Sequence, residues 1–135
     1  MTDTHDTSTG RGRRIGLWIL TIILAVLFFG AGLMSVTGDP MMVESFATLG
    51  LPDWFRILLG IGEIAGAAGL LIRPIAALAA LGLAAISAGA IVAHAAVPPL
   101  AQGVPALVLL ILTLAAAYMR SGDFARTLQR ISGRS

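Results

Sequence analysis

Apolar residues run along this chain in long blocks, and most polar residues fall between the blocks rather than within them. Four blocks come close to the ~20 residues that a membrane-spanning helix requires: Ile15 to Thr37, Phe55 to Ile72, Pro74 to Ala96 and Pro99 to Met119. None alternates apolar and polar residues as a barrel strand does. A segment in lipid must also satisfy its own backbone polar groups, so the pattern predicts helices. Only Arg73 separates the second block from the third, and only Val97 and Pro98 separate the third from the fourth, which makes these three spans antiparallel neighbours. The expected fold is all-α, an integral membrane four-helix bundle. Residues 1–14 read as a disordered polar tail, 15–119 as the bundle (spans 15–37, 55–72, 74–96 and 99–119, with an outer loop 38–54), and 120–135 as a basic tail.

The segments outside the spans carry their own signals. Asp39-Pro40 reads as an N-cap followed by a proline at the first helical position, and Met42, Phe46 and Leu49 then recur on one face before Gly50 ends the run. This predicts a short helix flat on the outer surface. Beyond it Pro52 breaks the chain, Asp53 is placed to cap the second span, and Trp54 falls at the interface where aromatic rings settle. Near the C-terminus Phe124, Leu128 and Ile131 share a helical face, with Arg126 and Arg130 one turn apart. Two readings stand for that segment: a basic amphipathic helix on an anionic leaflet, or a frayed tail whose arginines only set topology. Small residues at four-residue spacing predict close approach of spans two and three: Gly62 and Gly66, Ala65 and Gly69, Ala80, Ala84 and Ala88, and Ala85, Gly89 and Ala93.

Composition supports the membrane reading. The chain is 57% hydrophobic and 12% charged, with a mean hydropathy of +0.91, against about 25% charged in a soluble domain. Its few charges could not cover a water-facing surface, and so apolar a chain is not intrinsically disordered. The basic residues are all arginines, and all but Arg56 fall before the first span, between the second and third, or after the fourth. That asymmetry predicts that both termini are cytoplasmic, and the expected location is the bacterial cytoplasmic (inner) membrane, as a multi-pass chain. Arg13-Arg14 superficially matches an export signal, but the apolar run after it is too long and lacks a small-residue cleavage site. The absence of cysteine excludes disulfides, thiolate nucleophiles and iron–sulfur ligation. The sequence shows no metal-ligand cluster, nucleotide-binding glycine motif or hydrolytic triad, and the small, topological basic excess argues against nucleic acid.

Chemistry is concentrated in a few intramembrane polar residues. Glu63 stands near the middle of span two, and an ionisable residue at that depth is a functional candidate. A purely structural role is equally open, in which Glu63 hydrogen-bonds Ser87 at similar depth in span three and fastens the two helices. His94 and Gln102 lie near the outer ends of spans three and four, with Arg56 and Ser35 at the same level. Together these could line a polar pocket opening outward above Glu63, suited to proton movement or to a quinone head group. The alternative for His94 is a ring resting at the headgroup level.

These residues resemble the DoxX-like membrane proteins. The likeness lies in Gly32-Leu33 and Thr37-Gly38 closing span one, Pro40, the Leu49-Gly50-Leu51-Pro52-x-Trp54 loop, Gly60-x-x-Glu63-x-x-Gly66, and His94 ending span three, within Ile15 to Arg120. The resemblance implies a four-helix membrane bundle. It also implies kinship with membrane subunits of a thiosulfate:quinone oxidoreductase and with proteins of oxidative-stress and thiol redox complexes. Where that family commonly carries a lysine after Gly-Leu-x, this chain has Ser35, which leaves Arg56 or His94 as the polar counterparts of Glu63. The expected function is an accessory membrane subunit of a redox system, not a stand-alone enzyme. Quinone is the candidate cofactor, and the partners are the lipid bilayer with a soluble oxidoreductase or further copies of the chain. The competing readings are a noncatalytic protein binding partners or lipid, and a proton-coupled transporter.

Overall fold

The computed structural model describes residues 3–96 and 103–133, which form helices and short turns without a strand. Six α-helices follow in chain order: α1 (Asp3–Thr37), α2 (Pro40–Thr48), α3 (Asp53–Leu70), α4 (Ala76–Ala95), α5 (Val104–Met119) and α6 (Ser121–Ser132). A 3-10 turn, Arg73–Ile75, joins α3 to α4. The single-residue connection expected at Arg73 is therefore a tight turn, and Pro74 lies in it rather than in the following α-helix.

Helix ends follow local chemistry. After α1, Gly38 adopts a left-handed φ of 79° and the Asp39 N–H returns to the Met34 carbonyl at 3.0 Å, a glycine-stopped helix end. The Asp39 carboxylate then accepts from the Met41 N–H at 3.0 Å and starts α2 with Pro40 in its first turn, as the sequence predicts. The same device ends α2: Gly50 has φ 73° and the Leu51 N–H reaches the Phe46 carbonyl at 2.9 Å. The cap of α3 differs from expectation. Pro52 is its N-cap, and Asp53, inside the helix, turns its carboxylate to Arg56.

At the other end of the molecule α1 reaches back to Asp3, through the segment read as a disordered tail. Adding a residue to an existing helix costs far less than nucleating one, so the ladder of the apolar span propagates outward.

Helix α1 packs on α3, α3 on α4, α4 on α5, and α5 back on α1. The closest approach joins α1 and α3 at two glycines. A Cβ on Gly60 would stand 2.8 Å from the Gly32 carbonyl oxygen, and one on Gly32 would stand 2.6 Å from that of Gly60. Helices α3 and α4 meet where Gly66 receives Leu83 and Gly69 receives Ala79, so the predicted small-residue contact is present there. The core contains Leu24 and Phe28 of α1, Ala67 and Leu70 of α3, Ala80 and Leu83 of α4, and Ala116 of α5. It fills the half of the molecule nearer the termini.

Arg120 closes that half. Only 1% exposed, it donates from Nη2 to Thr21 Oγ1 at 2.9 Å, and its guanidinium lies 5.4 Å from the Trp18 ring centroid. Outward faces carry exposed Ile19, Ile22, Val26, Leu58, Leu81, Ile111 and Leu114. Two helical stretches, Gly10–Thr37 and Arg73–Ala95, are long and apolar enough to cross a membrane, and Val104–Met119 is a shorter apolar helix.

Candidate functional site

The half of the molecule nearer α2 contains a cavity. A cavity of about 630 Å³ opens between α2, α3 and α4, with Ser35 of α1 at its edge, a size within the ~300–1,000 Å³ of small-molecule sites. Helix α2 supplies Met42, Ser45, Phe46 and Leu49, α3 supplies Phe55, Leu59 and Glu63, and α4 supplies residues from Ala85 to His94. No α5 residue is among the described lining.

Register fixes the ends of this cavity. A Cβ on Gly62 would meet Ile86 Cδ1 at 3.6 Å, so Glu63 lies level with Ile86. His94 is two turns further along α4, roughly 12 Å by helical rise. Glu63 thus stands at the deep end and His94 at the rim. Both are half-buried, and they are the one acid and the one base among the described lining residues. The remainder is apolar apart from Ser35 and Ser45. An apolar chamber with one group able to give or take a proton at each end can orient a molecule that has polar atoms on a flat apolar body.

Six residues were expected at a polar pocket, and the structure distributes them. Glu63, His94 and Ser35 line the cavity. Arg56 does not: its side chain is 7% exposed, with Nη1 donating to the Ser35 carbonyl and Nε and Nη2 reaching Asp53 Oδ1 at 3.4 and 3.3 Å. Ser35 is in the last turn of α1, where carbonyls lack helical partners and the helix dipole attracts a cation. Arg56 therefore clamps the end of α1. Ser87 is buried, but its Oγ has no hydrogen-bond partner among the described residues, so the predicted bond to Glu63 is not made. Gln102 lies outside the described residues.

The ladder Ala85, Gly89, Ala93 was read as a helix-packing face. In the structure it forms the cavity wall, and a Cβ on Gly89 would meet nothing within 4 Å. Small residues here leave space rather than admit a neighbouring helix. Sequence reasoning had also missed the contribution of α2. Its signal was the spacing of Met42, Phe46 and Leu49, which marks an apolar face without saying what that face covers.

A sequence model of the DoxX-like family matches residues 19–117, which include every described residue lining the cavity. No curated protein and no solved structure matches the chain significantly. With the match extending from α1 through α5 and taking in Glu63 and His94, the chain belongs to the DoxX-like family.

Proposed function

We propose that this DoxX-like protein is an accessory membrane subunit of a redox system, and that its cavity holds a quinone ring. The observation that carries the reading is the cavity itself, apolar, with a carboxyl group at depth and an imidazole at the rim. In this reading α1, α3, α4 and α5 form a four-helix bundle crossing the bacterial inner membrane, with both termini cytoplasmic. The arginine distribution and the outward apolar faces support that arrangement.

The residues present fit a quinone. Phe46 and Phe55 offer ring surfaces, the small residues of α4 leave open space, and a protonated Glu63 carboxyl and the His94 N–H can each donate a hydrogen bond to a carbonyl oxygen. A bound quinone would supply two-electron, two-proton redox chemistry, fed by a soluble oxidoreductase. The chain's own contribution is to bind and orient the ring, exclude water, and keep a proton-bearing group at each end of the cavity.

The test is purification of the full chain from native membranes in mild detergent, followed by extraction and quantification of quinone against protein. Wild type is expected to retain quinone. Glu63→Leu and His94→Leu should each lower retention by about tenfold, in line with loss of one buried hydrogen bond of ~1–1.5 kcal/mol. Equal retention by all three would place the quinone elsewhere. Acyl lipid in its place would overturn the redox reading in favour of noncatalytic lipid binding, the alternative that the apolar lining also supports.

A further inference from the structure

The end of the molecule opposite the cavity has an architecture that the redox reading does not use. Helix α6 does not continue α5 as a free tail. It packs against α4, α5 and the 3-10 turn, so it lies across the base of the helices, over a length of roughly 18 Å. Two local features define it. Arg120, at the junction with α5, is held against Thr21 and Trp18 of α1, and Gly133 stops the helix with a left-handed φ of 73°. Its start is thus anchored to α1 and its end is set by a glycine.

That helix carries an apolar ridge on one face and cations on the other. Leu128 is 49% and Ile131 75% exposed, with Arg126 and Arg130 exposed one turn apart. Exposed Arg73 lies in the turn against which α6 packs. On α1, Arg11 and Arg14 precede Trp18 at seven- and four-residue spacing, so they continue the face on which Arg120 rests, and both are exposed. Cations from three elements therefore lie at one end of the molecule, which a short helix with a strongly segregated apolar face crosses.

We infer that this end is a binding surface for anionic phospholipid, with arginines of α6, the 3-10 turn and α1 on the headgroups and Leu128 and Ile131 in the acyl boundary. The occupant follows from charge and geometry. An apolar ridge on one face with arginines on the opposite face, on a helix lying across the end of membrane-spanning helices, meets the acyl boundary and the headgroup layer of an anionic leaflet at once. An acidic protein would satisfy the arginines but would not explain an apolar ridge at this level. The inference rests on the membrane-spanning reading and is independent of the quinone.

The full chain is reconstituted in nanodiscs of phosphatidylcholine and phosphatidylglycerol, released in the gas phase, and the lipids retained are counted by native mass spectrometry. Wild type should retain phosphatidylglycerol over phosphatidylcholine, and each of Arg73→Ala, Arg126→Ala and Arg130→Ala should reduce that preference by about fivefold. Arginine-to-lysine variants should keep it. The double variant L128S/I131S leaves charge and topology unchanged and should reduce retention of both lipids while the thermal unfolding of the bundle stays near wild type. No preference for the anionic lipid in wild type, or a preference unmoved by the alanine variants, would overturn the inference. So would displacement of the lipid by an acidic soluble protein at stoichiometric amounts.

Discussion

Arg56 and Glu63 stand two turns apart on α3 and have opposite relations to their surroundings. Arg56 is enclosed by the end of α1 and by Asp53, whereas Glu63 faces a cavity. Arg56→Met, which keeps the length of the side chain, should destabilise the detergent-solubilised protein by about 2 kcal/mol, the worth of a buried hydrogen bond to a charged group. Asp53 is 74% exposed, so Asp53→Asn should cost less than about 1 kcal/mol. Denaturant titration of the two variants checks the difference, and equal, wild-type-like unfolding of both would remove the clamp. At this scale the sequence is informative about Glu63, because an acid inside an apolar run has no cheap alternative to a role. It is less informative about Arg56. A long side chain at a helix start can turn toward a pocket, a carboxylate or a neighbouring helix end, and only the position of α1 decides among them.

Between elements, the deciding contacts are made by glycine. The mutual approach of Gly32 and Gly60 brings backbone against backbone, so nothing flexible can yield to an added side chain. Gly60→Val should force α1 and α3 apart and cost about 1–3 kcal/mol, read as a lower unfolding midpoint in detergent. An unchanged midpoint would show that the helices separate freely. The same residue type does different work along α3 and α4. Gly66 and Gly69 receive Leu83 and Ala79, while Gly89 borders empty space. A four-residue spacing of small side chains marks both situations identically in a sequence, and what separates them is whether the facing helix brings a side chain to that level. The capping of α2, by contrast, was legible throughout, because Asp39, Pro40 and Gly50 act on backbone groups only a few residues away.

Across the whole molecule, the large core side chains and the vacancy occupy different levels, while the Gly32–Gly60 contact holds α1 to α3 beside the cavity. Leu24, Phe28, Leu70 and Leu83 fill the half near the termini, and the cavity lies in the half near α2 without drawing on α5. Gly89→Leu should therefore fill the cavity while leaving the helix contacts in place. The expected result is loss of co-purifying quinone with an unfolding midpoint close to wild type. A midpoint drop comparable to that of Gly60→Val would mean that the space at Gly89 is part of the packing. The helical class and the two helices long and apolar enough to cross a membrane follow from apolar runs alone, but this division by level does not, since it depends on which helix faces which.

The two left-handed glycines that bracket α2 have a consequence for how such a protein can diversify. Gly38 ends the helix before it and Gly50 ends α2 itself, so the entry and exit of the segment are written outside its cavity-facing residues. Met42, Ser45, Phe46 and Leu49 can then be exchanged as a cassette, altering the shape and polarity of one whole wall while the surrounding scaffold keeps its fold. Relatives with different ligands would be expected to differ most in these four positions and least in the glycines on either side.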